Sequence, residues 1–140
     1  MNNSVKQDNA FEVKLDDKSF RYQTLEGGRS QFPPQTGYWY AYIHAIRSQG
    51  ERESDTVGLI LLDDLPADEY QIEPDGPVKV SYTKMIGGYM KAYKAVSGKV
   101  ILTRPLGTRA VGTFKVELDN EITLTEGSFD VLCPKPEPRP

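Results

Sequence analysis

The chain has 140 residues, enough for one domain with a core of its own. A formal net charge of −3 and a pI near 5.2 argue against a nucleic-acid partner, because such partners select clustered basic surface. The single cysteine, Cys133, excludes an internal disulfide, and with the single histidine, His44, it leaves no familiar zinc ligand set.

Met1–Asn9 is polar and reads as a disordered lead-in without the form of a signal peptide. The compartment stays open: cytoplasmic if Met1 is the native start, periplasmic or cell-surface if a leader has been removed. Phe11, Val13 and Leu15 alternate with charged residues and predict a strand. Asp16-Asp17-Lys18 then turns into a hairpin partner around Phe20, Tyr22 and Thr24. Glu26 to Gln31, with Gly27-Gly28 inside, reads as loop extended by Pro33-Pro34. It is not a phosphate loop, since it lacks the Gly-Lys-Ser/Thr end and the helix that follows.

Tyr38 to Ile46 is a long strand. Trp39, Ala41, Ile43 and Ala45 share one face, expected to be core. Tyr38, Tyr40, Tyr42 and His44 share the other. This second face is a ladder of rings with a polar tip at each rung. Such rings offer large contact area at low entropy cost, so these four residues are the candidate ligand-binding set. The plainer alternative is a ladder packed against a neighbouring strand or loop.

Ser48 to Asp55 is polar loop, and Val57 to Leu62 is an apolar run expected to form a central strand buried on both faces. Asp63 to Glu69 gathers four carboxylates, but it has no EF-hand spacing and reads as turn chemistry. A short strand at Tyr70–Glu73 and the turn Pro74-Asp75-Gly76-Pro77 lead to the alternating Val78, Val80 and Tyr82. Between residues 84 and 96 the apolar residues have helical spacing. Gly87-Gly88 interrupts them and would cost a helix about 2 kcal/mol, so a loop and then a strand from Tyr89 are expected. Gly98 marks a bulge, and Lys99 to Arg104 is a further strand.

The last third has the clearest pattern. Gly112, Phe114, Val116 and Leu118 point one way, and Val111, Thr113, Lys115 and Glu117 the other. Asp119-Asn120 turns the chain, and Ile122, Leu124, Phe129 and Val131 resume the apolar positions. This is a hairpin with one buried face. Pro134 to Pro140 carries alternate prolines and should be an extended, solvated tail.

Nine or ten short strands and no persuasive helix imply an all-β, single-domain antiparallel β-sandwich over residues 10–133, with a calycin-like β-barrel as the alternative. The segments Ser97–Thr103, Val111–Val116 and Ile122–Val131, with the opening Phe11–Phe20 hairpin, resemble small bacterial β-sandwich domains of putative lipoproteins of unknown function. The shared motifs are turn glycines and core aromatics, so the resemblance implies a fold and carries over no functional residue. The lipobox cysteine of those domains is missing here.

The function expected is a non-catalytic binding or protein-interaction module with a protein or carbohydrate partner, no nucleic acid, no cofactor, no metal and no transmembrane segment. The longest apolar run is too short to span a bilayer. Two alternatives stand beside it: an enzyme with a dispersed polar site around His44, which lacks a recognisable nucleophile setting, and an assembly subunit pairing through an edge strand. The oligomeric state is open.

Overall fold

The structure is a computed structural model that describes residues 9–34 and 37–136. It is all-β. The strands are β1 (Ala10–Leu15), β2 (Lys18–Ser19), β3 (Thr24–Phe32), β4 (Tyr38–Ser48), β5 (Glu53–Leu62), β6 (Asp68–Gln71), β7 (Val78–Ile86), β8 (Tyr89–Leu102), β9 (Arg109–Leu118) and β10 (Thr123–Leu132). All pairings are antiparallel, in the order β2-β1-β10-β9-β8-β7-β5-β4-β3, and β6 pairs with β8 off that path.

The long strand β8 makes this one continuous curled sheet rather than two separate ones. Its first half, Tyr89–Lys94, pairs with β7. Its second half, from Ala95, pairs with β9 and also with β6. The register shifts between Ala95 and Ser97, and Gly98 sits at φ +113°, so the strand bends there. A Cβ at Gly98 would run into the backbone of Lys115 and Val116, so the close approach of β9 requires glycine. This continuity agrees with the barrel-like alternative of the sequence reading, and separate sandwich layers are not seen.

The concave side holds one core. Ile43, Leu59, Leu61, Leu102, Leu124, Val57, Val78, Val100, Val116 and Val131 are fully buried in it. The chain between β2 and β3 crosses this side. There Phe20 meets the Tyr82 ring edge-on, with centroids 6.5 Å apart, and the Arg47 guanidinium lies 4.5 Å over it. Near the middle of β3, beside Gly27 and Gly28, the Cys133 thiol donates to the Tyr42 carbonyl at 3.7 Å and ties the end of β10 to β4. An ion pair stands near each end of β4. Arg29 meets Asp63 at 2.5 Å and donates to the Gly107 carbonyl; Arg47 meets Asp55 at 2.6 Å.

The C-terminal hairpin pairs β9 with β10 as expected, with Val116 opposite Leu124 and, past a register shift between Leu124 and Gly127, Phe114 opposite Gly127. Its turn is a tight reversal over Asp119–Glu121, in which Asn120 and Glu121 both take left-handed backbone, at φ +60° and +61°. Ile122 is half-buried rather than fully buried.

Several expectations are corrected. Glu26–Gln31 is not a loop but the middle of β3, paired residue by residue with β4. The strand paired with β1 is only Lys18–Ser19, extended by the Phe20 amide donating to the Val13 carbonyl at 3.0 Å, and Arg21–Gln23 leaves the hairpin towards β3. β5 is central, between β4 and β7, but only one of its faces is buried: Ile60 and Leu62 are each 39 % exposed. Trp39 is half-buried where core was expected. β7 runs through residues 84–86 before the turn at Gly87-Gly88. The Asn9 side-chain oxygen accepts from the Leu132 amide at 2.9 Å. Residues 1–8 of that lead-in and 137–140 of the tail lie outside the described residues.

Candidate functional site

β4 places its side chains on alternate faces of the curled sheet. Ala41, Ile43 and Ala45 are fully buried on the concave side. Tyr38, Tyr40, Tyr42 and His44 stand on the convex side, with Tyr38 79 % exposed and the other three half-buried. The neighbouring strands decide how the rings lie. Tyr42 is paired with Gly28 on β3, and His44 with Gly58 on β5. A Cβ at Gly28 would come within 2.6 Å of the Tyr42 hydroxyl, and one at Gly58 within 3.3 Å of the His44 ring. The rings therefore lean sideways into the strips left by the glycines. Their centroids are 5.2 Å apart with a 33° tilt, which gives a low aromatic platform rather than upright posts.

Towards the start of β4 the platform opens into a groove of about 320 Å³. It is lined by Phe32, Tyr38, Tyr40, Ile60, Leu62 and Pro77, with Lys79 at its margin. Phe32 is the register partner of Tyr38, and Leu62 that of Tyr40. Phe32 is 71 % exposed. The groove thus takes in two of the four candidate residues, Tyr38 and Tyr40, while Tyr42 and His44 continue the surface along the strand. Phe32, Ile60 and Leu62 lie outside the four candidates because the Gly27-Gly28 segment reads as loop in the sequence and Val57–Leu62 as buried on both faces. The alternation Leu59-Ile60-Leu61-Leu62, set against the Tyr ladder, was the available signal.

His44 sits opposite Glu26 in the β3–β4 register. Among the described residues, no hydrogen bond joins their side chains, and the nearest ring to His44 is Tyr42. The arrangement supplies no oriented acid–base pair.

The best-formed polar cluster lies instead at one end of the concave side. Asp55, 2 % exposed, accepts from Arg47 Nε and Nη2 at 2.9 and 2.6 Å and from the Tyr82 hydroxyl at 2.5 Å. Burial by itself would raise the Asp55 carboxyl, but the hydrogen bonds from Arg47 and Tyr82 outweigh it and hold the pKa below the ordinary value. Burial and the Asp55 carboxylate together push the Tyr82 phenol well above the usual tyrosine range. The Asp55 carboxylate is thus paired within the cluster by the Arg47 guanidinium.

Cys133 is fully buried, and burial raises its thiol pKa, which opposes thiolate chemistry. Among the described residues, no group of three or more His, Cys, Asp or Glu side chains is placed to hold a metal. Asp63, in the acidic turn after β5, is taken up by Arg29 and by Lys135 at 3.1 Å. A wider, polar cleft of about 540 Å³ follows the β1–β2 hairpin, beside the Lys14–Glu126 ion pair. Among the described residues, no helix is long and apolar enough to cross a membrane.

No family model, curated protein or solved structure matches the chain.

Proposed function

We propose that the protein is a non-catalytic interaction module that grips a partner protein on the convex face of β4. The observation that carries this reading is the groove between Phe32, Tyr38, Tyr40, Ile60 and Leu62, an apolar patch on a sheet face that none of the described residues covers. Tyrosines beside aliphatic side chains match the composition of protein-interface cores. A sugar site needs several convergent polar groups, and here only the tyrosine hydroxyls and Lys79 supply them.

We read the curled sheet as a half-barrel. Its interior is filled by fully buried side chains and carries an Arg–Asp pair towards each end, which favours ligand contact on the outside. The resemblance to the lipoprotein domains adds no site residue to this reading.

The test is a Tyr40→Ala, Tyr42→Ala double variant. It should fold, because both residues stand on the convex face, and it should lose a partner that the wild type retains from its native host in a pull-down. A glycan retained on an array in place of a protein would move the reading to carbohydrate. A folded variant that holds every wild-type partner would overturn it, and so would a variant that unfolds.

A further inference from the structure

A second surface is carried by different observations. The tip of the β7–β8 hairpin is exposed without a break from Lys84 to Ala92. Met85, Ile86, Tyr89 and Met90 in this stretch are 43, 50, 83 and 68 % exposed. Met85 faces Met90, and Ile86 faces Tyr89, across the Gly87-Gly88 turn. A solvated turn has no use for four large apolar side chains, and a patch of this kind marks a docking element.

The surrounding charge selects the occupant. Residues 76–116 carry eight Lys and Arg and no Asp or Glu, which leaves nine of the seventeen basic residues and all twenty acidic ones elsewhere. Among the described residues, Tyr89–Lys94 pairs on the β7 side alone and leaves its other edge free. It presents Lys91 and Lys94, and Lys84 stands opposite Lys91. Glu53, at the start of β5, is the register partner of Ile86, and Glu51 lies on the β4–β5 turn, whose Arg52 carbonyl accepts the Gly87 amide; both flank the tip on the β5 side of β7, across it from the free edge of β8. Edge-to-edge pairing with a second copy would bring these lysines together, the arrangement by which edge strands avoid self-association.

An apolar tip with an interfacial tyrosine, backed by lysines on one edge, fits a negatively charged bilayer surface. The apolar side chains enter the acyl boundary while the ammonium groups stay among the headgroups. We propose that the β7–β8 tip and the free edge of β8 seat the protein on an anionic lipid surface.

The experiment uses the full chain and vesicles of phosphatidylcholine, with and without about a quarter phosphatidylglycerol. Sedimentation with the anionic vesicles alone is expected, weakening as salt is raised. Ile86→Ser with Tyr89→Ser should weaken binding about tenfold. Lys91→Gln with Lys94→Gln should weaken it to a similar degree and flatten the salt dependence. Both pairs are exposed except for the Lys91 contact with the Tyr93 ring, and circular dichroism checks that each variant is folded. No binding to anionic vesicles would overturn the proposal. So would folded variants that bind like the wild type, or a tip that takes up polyglutamate and ignores vesicles.

Discussion

The Tyr42 ring occupies the space that a side chain at Gly28 would fill, with the hydroxyl 2.6 Å from the position of that missing Cβ. One residue on an edge strand thus sets the height of the aromatic platform on the next. Gly28→Ala should lift the ring off the sheet. The change adds a methyl against a movable ring, so the cost should be about 1 kcal/mol, at the mild end for overpacking. The near-ultraviolet tyrosine signal should change while the far-ultraviolet strand signal stays. An unchanged tyrosine environment would contradict the contact.

The two ion pairs of the concave side should differ sharply from those on the surface. The Arg29 side chain is 3 % exposed, and Asp63 12 %. Removing one partner leaves a buried charge uncompensated, so Asp63→Ala should cost about 3 kcal/mol or more. The Lys99–Glu69 pair is 44 and 46 % exposed, so Lys99→Ala should cost less than about 1 kcal/mol. Denaturant midpoints of the two variants check the contrast. Equal losses would show that removing Asp63 does not leave Arg29 as an uncompensated buried charge.

Much of the fold was legible because period-two patterns are local. Phe114, Val116 and Leu118 on one strand, and Leu124, Phe129 and Val131 on the next, declare a buried face without reference to the rest of the chain. β3 was illegible for the opposite reason. Its Gly27-Gly28 pair reads as a loop in isolation, yet a Cβ at Gly27 would strike Val131 and the Leu132 carbonyl, and one at Gly28 would strike Tyr42. The glycines answer to close approaches from residues over a hundred positions away and from the next strand, which no local pattern encodes. β5 failed similarly. A continuous apolar run is ambiguous between burial on two faces and one buried face with an apolar outer surface. Ile60 and Leu62 show that the second case holds, and with them the groove became visible. The Tyr38–His44 ladder was readable as a face, but its tilt depends on Gly28 and Gly58 across the register.

The C-terminal hairpin should dominate core stability. Phe114 and Phe129 are 2 and 3 % exposed, and their rings lie 6.1 Å apart. Truncating either to alanine should cost about 3–5 kcal/mol, the lost transfer free energy plus the cavity left behind. The two losses should not add, because the rings are in contact. A melting temperature within a degree or two of the wild type for either variant would contradict the packing.

The Asp55 cluster predicts how stability depends on pH. Hydrogen bonds from Arg47 and Tyr82 hold the Asp55 carboxyl below its ordinary value in the fold, whereas in the unfolded chain it titrates near pH 3.9. The unfolded state therefore binds the proton first on acidification. The stabilisation from this group is complete above the unfolded value and is lost as pH falls from about 5 through the lowered native value. Tyr82 acts at the other extreme. Its phenol is raised in the fold, so its contribution is complete below the unfolded value, about pH 10, and declines as pH rises beyond it. Chemical denaturation from pH 2 to 11 should thus show a plateau with a shoulder at each end. Asp55→Asn should be destabilised at neutral pH, because it leaves the Arg47 charge without its partner. Its acid shoulder should flatten, and the difference from the wild type should shrink towards pH 2. An acid profile for Asp55→Asn parallel to that of the wild type would show that other carboxylates set the acid limit.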